Sequence, residues 1–279
     1  MKIQALKDSI HFENDGKLEI FTVGVGSAFT KKNFQTNVLI IKGKDHILVD
    51  CGTLCPLAFK QYNSSISKVK NFLITHSHAD HIGGLEEVAL TNRYILHKKP
   101  NMVITTEYKR ILWNQSLRGG NSYSEYSEGD YLCFEDFFIQ IKPKRVHYIN
   151  RPMWQIKIGS IDIKLFRTKH IPDSAGTWKY SFYSVGLLID NRILFTGDTR
   201  FDTDLLYSML NAFPKIEYIF HDCQLYTGGV HASYDELKTL PASIKNKMIL
   251  CHYGDNIKNF HPKKEGFIEF AQQGVYYQF

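Results

Sequence analysis

Four side chains that can bind metal ions lie close together in the segment THSHADHIGG (75–84). These side chains are His76, His78, Asp80 and His81. They follow the apolar run FLITH (72–76), which is typical of a buried β-strand. Imidazole nitrogens and carboxylate oxygens suit zinc and other first-row divalent cations, and a strand-to-helix turn can direct such donors at two neighbouring cations. The spacing therefore predicts a metal site.

Three further candidate ligands follow predicted strands later in the chain. His170 comes after KLFRT, Asp198 closes ILFTGD and His252 closes MILC. Each of them alone could be a surface, capping or partly buried polar residue. Because one cluster cannot complete two coordination shells, we expect all three to join the residues of 76–81 at the metal site.

The elements that must position these residues are short β-strands separated by Gly, Asn and Asp turns. Apolar runs predict strands at 18–25, 37–43, 46–50, 72–76, 155–168, 184–190, 192–198, 216–222 and 247–252. Helices are expected around 105–113, after Gly84, and at 202–211, 233–240 and 262–271, with a polar loop at 113–131. Strands and helices in both halves favour an α/β (α+β) fold of two sheets flanked by helices over an alternating doubly wound sheet.

The composition is typical of one soluble globular domain. The chain has 279 residues, 43% of them hydrophobic, and neither a linker nor a repeat divides it, so a single domain over 1–279 is expected. Its net charge of +6 indicates only a weak preference for anionic partners. The five cysteines form no CxxC pair, and no segment has the apolar core of a signal peptide or membrane helix. We therefore expect a cytoplasmic protein without a membrane partner.

The order of the ligands resembles that of the metallo-β-lactamase superfamily. Its HxHxDH motif matches 76–81, and its later His, Asp and His match His170, Asp198 and His252. The resemblance implies a four-layer αββα sandwich with a two-metal site at one edge of the sheets. It further implies that His76, His78 and His170 hold one metal, that Asp80, His81 and His252 hold the second, and that Asp198 bridges them. The two ions are expected to be zinc, with manganese or iron as alternatives.

Departures from other branches narrow the resemblance. Common β-lactamases carry a cysteine in the second metal site, which the ligand set of this sequence lacks. Flavodiiron-type members carry an acidic residue at the position of His78. Glyoxalase-type thioesterases usually have a larger C-terminal helical domain than the residues after His252 could form. The segment 219–237 instead resembles ribonuclease Z and related phosphodiesterases, in which an acidic residue and a downstream histidine pair beside the metals. Asp222 and His231 match those positions, although the acidic residue is Asp where Glu is usual.

This resemblance implies phosphodiester hydrolysis. A metal-bridging hydroxide oriented by Asp80 would attack phosphorus, and His231, held by Asp222, would protonate the leaving alkoxide. No insertion matches the basic arm with which ribonuclease Z grips precursor tRNA. Compact relatives in phages and bacteria degrade cyclic-nucleotide immune signals, so a small anionic nucleotide is the expected substrate and an RNA 3′ end the runner-up.

Other functions stay open at this stage. The same centre could hydrolyse a lactone or other ester, a reaction that would not depend on His231, or a silent protein could sequester a nucleotide. The loop 171–184 carries aromatic rings beside His170 on which a base could stack, although each ring could instead pack the loop onto the sheet. Relatives are commonly homodimers, so a homodimer is expected by resemblance alone.

Overall fold

The computed structural model describes residues 1–122 and 125–279, and the chain divides into two compact units. The first unit consists of Met1–Gly24, Phe34–Pro143 and Gly274–Phe279. The second unit consists of Val25–Asn33 and Lys144–Gln273. In the described part of the chain, no helix has the length and apolar character needed to cross a membrane.

The first unit is built on an eight-stranded sheet. Its strands are β1 (Lys2–Ala5), β2 (Glu19–Gly24), β3 (Asn37–Lys42), β4 (Asp45–Val49), β5 (Asn71–Leu73), β6 (Asn101–Val103), β9 (Ile139–Ile141) and β18 (Val275–Gln278). Their order in the sheet is β1-β18-β2-β3-β4-β5-β6-β9. The pairs from β1 to β4 are antiparallel, and those from β4 to β9 are parallel. The carboxyl ends of β4 and β5 therefore share one edge of the sheet.

Short helices connect the strands of the first unit. They are α1 (Cys55–Gln61), α2 (Ala79–Ile82), α3 (Leu85–Leu90), α4 (Thr106–Leu112), α5 (Arg118–Ser122) and α6 (Phe134–Phe137), with a 3₁₀ turn at Ile66–Lys68 and π-helical turns at Thr91–Ile95 and Trp113–Leu117. A small hairpin pairs β7 (Tyr126–Ser127) with β8 (Asp130–Tyr131). Helix α3 buries Leu85, Val88 and Ala89, which lie on one face of the helix.

The second unit repeats this change from antiparallel to parallel pairing in another eight-stranded sheet. Its strands are β10 (Lys144–Val146), β11 (Met153–Ile158), β12 (Ile161–Arg167), β13 (Val185–Ile189), β14 (Ile193–Phe195), β15 (Tyr218–Asp222), β16 (Met248–Cys251) and β17 (Glu269–Phe270), in that order. The pairs from β10 to β14 are antiparallel and those from β14 to β17 parallel. Strands β12, β14, β15 and β16 therefore all end at the same edge of the sheet.

The second unit contains the helices α7 (Thr203–Ala212), α8 (Tyr234–Lys238) and α9 (Ala242–Lys245), with 3₁₀ turns at Trp178–Tyr180, Ile257–Asn259 and Pro262–Glu265. Side chains satisfy the first backbone amides of α7 and α8. The Asp202 carboxylate accepts a hydrogen bond from Leu205 N at the start of α7. Ser233 and Glu236 form a reciprocal capping box at the start of α8.

Most sequence predictions of strands are confirmed, and three elements differ. The run 155–168 turns back at Gly159, whose φ of 54° suits glycine, and forms the hairpin β11–β12. The predicted helix 262–271 is wrong because a 3₁₀ turn ends at Gly266 and β17 then pairs with β16. The predicted loop 113–131 is helical as far as Ser122, since Trp113 and Leu117 are buried one turn apart. Residues 123 and 124 of that stretch lie outside the described residues.

Gly186 should be intolerant of a side chain. It lies opposite Phe166 in the β12–β13 ladder, and a Cβ there would come within 2.6 Å of the Phe166 ring and of Thr196 O. Overpacking of this kind costs about 1–3 kcal/mol. Gly186→Ala should therefore lower the free energy of unfolding measured with urea, whereas Gly176→Ala, which meets no heavy atom within 4 Å, should leave it unchanged. Equal unfolding midpoints for both variants would contradict this account of the ladder.

Candidate metal centre

The first unit presents two histidine nitrogens side by side after β5. His76 is buried, and its Nε2 lies 2.9 Å from His78 Nδ1. His76 Nδ1 lies 3.1 Å from Thr75 Oγ1, which leaves Nε2 as the atom turned toward His78. At the usual zinc–nitrogen distance of about 2.0–2.1 Å, both nitrogens could contact one cation.

The next two residues of the motif form a second pair on α2. Asp80 lies in the first turn of the helix, and its Oδ2 lies 3.2 Å from His81 Nε2. Both side chains are buried. The short helix therefore carries a second pair of donors.

Asp50 holds His81 from behind and was missed at the sequence level. Its Oδ2 lies 2.7 Å from His81 Nδ1, and its Oδ1 accepts a hydrogen bond of 2.7 Å from Thr75 N. Burial raises the pKa of Asp50, and the neighbouring His81 and Thr75 offset part of that rise. A carboxylate on Nδ1 fixes the tautomer in which Nε2 is the free ligand atom. The signal was available, since Asp50 ends the predicted strand HILVD just as Asp198 ends its own.

The second unit brings its predicted ligands together at the shared edge of its sheet. His252 Nε2 lies 3.4 Å and His170 Nε2 3.9 Å from Asp198 Oδ2, so this carboxylate contacts both imidazoles. One ligand atom each from Asp198, Asp222, His231 and His252 lies within 4.8 Å of the other three. The bridging role that the resemblance implies for Asp198 stays a prediction.

Asp222 and His231, which the resemblance predicts to pair, contact each other in the second unit. Asp222 Oδ2 lies 2.7 Å from His231 Nδ1 and accepts a hydrogen bond of 2.9 Å from Thr199 N. Burial acts to raise the pKa of Asp222, but the charge and hydrogen bonding of the histidines outweigh it, so this pKa is lowered. Burial acts to lower the pKa of His231, but Asp222 outweighs it, so that pKa is raised. Solvent can reach the His231 ring, which is 16% exposed.

One arrangement recurs at three of the candidate ligands. His81, His170 and His252 each present Nε2 to an aspartate, while Nδ1 contacts an oxygen on the other side. Those oxygens are Asp50 Oδ2 at 2.7 Å, Val230 O at 3.0 Å and Asp222 Oδ1 at 3.4 Å. Metal-binding histidines characteristically use the second nitrogen in this way. The donor set, imidazole and carboxylate without thiolate, fits zinc, manganese or iron.

Solved structures share the architecture of the chain. The metallo-beta-lactamase fold protein YhfI from Bacillus subtilis superposes with a TM-score of 0.66 at 14% identity, covering 94% of this chain and 99% of that one. A diphosphatase from the PhnP family superposes with a TM-score of 0.67 at 13% identity, covering 94% and 98%. The chain therefore has the metallo-β-lactamase fold, which confirms the predicted fold class.

Sequence similarity places the chain within one family of that fold. Residues 18–277 match the family model described as anti-Pycsar protein Apyc1. A relative of the same description from Bacillus phage vB_BsuM-Goe3 is 37% identical over 260 residues, which cover 90% of this chain and 95% of the relative. The chain belongs to the anti-Pycsar protein Apyc1 family.

Replacing Asp50 by Asn should weaken metal binding without unfolding the protein. The amide keeps the shape but removes the charge behind His81, and loss of such a partner typically costs 10–100-fold in metal affinity. Zinc titration by calorimetry measures this change. Glu19→Gln is a matched control, because Glu19 is also a buried carboxylate beside a histidine, His11, at 2.7 Å. Equal zinc affinity in Asp50→Asn and the wild type would exclude a role for Asp50 in positioning His81.

Proposed function

We propose that this protein is a metal-dependent phosphodiesterase that hydrolyses small cyclic nucleotides. The observation that carries the proposal is the His231–Asp222 pair, in which a partly exposed histidine lies beside the candidate ligands Asp198 and His252. Membership in a family described as anti-Pycsar protein Apyc1 supports the proposal, because compact relatives in phages and bacteria degrade cyclic-nucleotide signals. A net charge of +6 suits a small anion better than a long polyanion.

We further propose that both units act as one hydrolase domain around one dimetal centre. Its ligands would be those of the family pattern, His76, His78, Asp80, His81, His170, Asp198 and His252. The pattern of Nδ1 support within each unit favours this set, since it leaves Nε2 for the cation at His81, His170 and His252.

The protein side chains then have separate tasks in the reaction. Two divalent cations, when bound, lower the pKa of a water molecule and offset negative charge on the phosphate. Asp80 would orient the attacking water. Asp222 Oδ2 would accept a hydrogen bond from His231 Nδ1–H, so that His231 Nε2 would carry the proton delivered to the departing ribose oxygen. Water is added across one P–O bond, and the cyclic diester becomes a nucleoside monophosphate.

The pairing of His231 with Asp222 favours a phosphodiester over a lactone. A ribose alkoxide is a poor leaving group that needs a proton as the P–O bond breaks. A lactone carbonyl could instead be opened by nucleophilic attack at the same centre without this donor. The paired histidine is therefore the feature that distinguishes the two reactions.

Substitution of His231 tests the proposed general acid. In metal-loaded protein, His231→Ala should lower kcat for 3′,5′-cyclic nucleotides by roughly 10²–10⁴-fold, the usual contribution of a general acid, with metal content unchanged. Asp80→Ala should lower activity together with metal content. His147→Ala, which removes an exposed histidine of the same unit, should leave kcat unchanged.

The substrate panel separates the alternatives. Cleavage of bis(p-nitrophenyl) phosphate without any cyclic-nucleotide turnover would indicate that the substrate is an RNA 3′ end. Lactone hydrolysis that persists in His231→Ala would indicate that the protein is an ester hydrolase and not a phosphodiesterase. Cyclic-nucleotide binding without turnover in fully metal-loaded protein would favour a sequestering protein.

Removal of the metals should destabilise the protein as well as inactivate it. A ligand that binds only the folded state stabilises it by RT ln(1 + [L]/Kd), about 4 kcal/mol at a thousandfold excess over Kd. Dialysis against a chelator should therefore lower Tm by several degrees, and zinc should restore it. Unchanged Tm together with full loss of activity would indicate that the cations contribute little to folding. Protein dialysed in parallel without chelator is the control.

A further inference from the structure

The second unit contains a cavity of about 290 Å³ whose lining includes His231 and His252. This volume is close to the lower end of the roughly 300–1,000 Å³ usual for small-molecule sites, so the cavity suits one part of a ligand. Under the proposed function, His231 faces the scissile phosphate. The cavity beside it is therefore the place to seek the group that the ribose carries.

Phe29 lies in the lining of this cavity at the tip of an anchored loop. The loop 25–33 is fastened to the residues directly after β16 by hydrogen bonds from His252 N to Val25 O, 2.8 Å, and from Ser27 N to Tyr253 O, 3.1 Å. The Asp255 carboxylate holds the other side of the loop by accepting hydrogen bonds from the backbone amides of residues 31 and 32, 2.9 and 3.0 Å, and from Thr30 Oγ1. Phe29 is nevertheless 88% exposed.

Tyr226 lines the same cavity from a second anchored loop. This loop follows β15 and is tied by the Gln224 side chain, whose Nε2 donates to Tyr226 O at 2.9 Å and to Gly228 O. Gln224 itself is buried, and its backbone amide donates to Ala232 O at 2.8 Å, next to His231. Tyr226 is 67% exposed.

Two exposed rings on anchored loops suit the recognition of a flat apolar group. A single exposed aromatic residue is ordinary on a protein surface. Here both rings line one cavity with the candidate general acid, and each loop is fixed by a buried or charged polar side chain. Stacking on a preformed aromatic surface avoids the entropy cost of ordering a loop when the ligand binds.

We propose that this cavity is the nucleobase subsite of the enzyme, with Phe29 and Tyr226 as stacking surfaces. The proposal rests on the proposed function. Because every base has a π-face, stacking accepts purines and pyrimidines alike. Asn256, also in the lining, carries an amide that can both donate and accept hydrogen bonds, so it can meet the edge of either kind of base. The subsite therefore supplies affinity for the base with little discrimination among bases.

Paired substrates with and without a base test the subsite. KM and kcat would be measured on metal-loaded full-length protein for a purine and a pyrimidine 3′,5′-cyclic nucleotide and for the base-free 3′,5′-cyclic phosphate of methyl riboside. Phe29→Ala and Tyr226→Ala should each raise KM for both nucleotides roughly tenfold, with the base-free substrate unaffected. Phe29→Tyr should retain the wild-type KM. Effects of equal size on the base-free substrate, or no effect on the nucleotides, would overturn the proposal.

Tyr180→Ala is the matched control in the same unit. Tyr180 is 77% exposed and lies in the aromatic loop 171–184, but it lines a different cavity, with Trp178 and Lys179. Its removal should leave KM unchanged. A rise in KM for Tyr180→Ala with none for Phe29→Ala would transfer base stacking to that loop and overturn the proposal.

A binding measurement separates failure of the subsite from failure of the proposed function. Calorimetric titration with a cyclic-nucleotide phosphorothioate reports affinity whether or not turnover occurs. If the wild type hydrolyses no cyclic substrate yet binds the analogue roughly tenfold more tightly than Phe29→Ala, the proposed reaction fails and the subsite stands. If wild type and Phe29→Ala bind the analogue equally, or neither binds it, the subsite is overturned.

Discussion

Buried aspartates paired with imidazoles are the constraint on which the rest of the structure depends. A carboxylate removed from water is costly unless opposite charge and hydrogen bonds compensate it. Asp50 in the first unit and Asp222 in the second are both about 1% exposed, and each contacts histidine Nδ1 and a backbone amide. His81 directs Nε2 at Asp80, and His252, whose Nδ1 lies 3.4 Å from Asp222 Oδ1, directs Nε2 at Asp198. A buried aspartate that contacts a histidine Nδ1 and a backbone amide therefore occurs in each unit.

The topology explains why each sheet can place such a pair. Both sheets change from antiparallel to parallel pairing, and the polar residues follow strands that run in the same direction. Asp50 follows β4, and Asp222 ends β15. Asp50 and His252 also have positive φ, 63° and 61°, which is uncommon for residues other than glycine. Unfavourable backbone angles of this kind persist where surrounding contacts over-determine them, and they concentrate at functional sites.

The sequence was informative where chemistry and local pattern coincide. The cluster at 76–81 stands out in the sequence because four residues that can bind metal follow one apolar strand. Asp198 and His252 are candidates for the same reason, since each follows an apolar run. Asp50 also follows an apolar run but offers only one donor among ordinary turn residues, so its role became visible only from its distance to His81. The helix expected at 262–271 failed because pairing of β17 with β16 outweighs local helical periodicity.

The candidate base subsite lay beyond sequence reasoning because it joins segments far apart in the chain. The loop 25–33 packs in the second unit, although the residues before and after it belong to the first. Gly26 permits this loop, since a Cβ there would collide with the side chain of Thr30. In the sequence, Phe29 at the tip of this loop resembles an ordinary surface residue. Only the structure shows that Asp255, more than two hundred positions later, anchors the loop.

The residues proposed for the reaction are mostly buried, whereas the residues proposed for binding the base are exposed. Asp222 and the candidate ligands other than the half-buried His78 are buried. His252 contacts both Asp198 and Asp222, so a change at His252 disturbs both carboxylates. Phe29 and Tyr226 are mostly exposed, and their loops are held by Asp255 and Gln224 through backbone atoms. Because the exposed rings contribute little to the core, their identity can change at small cost in stability. Under the proposed function, affinity for the substrate can therefore change while the buried donors stay in place.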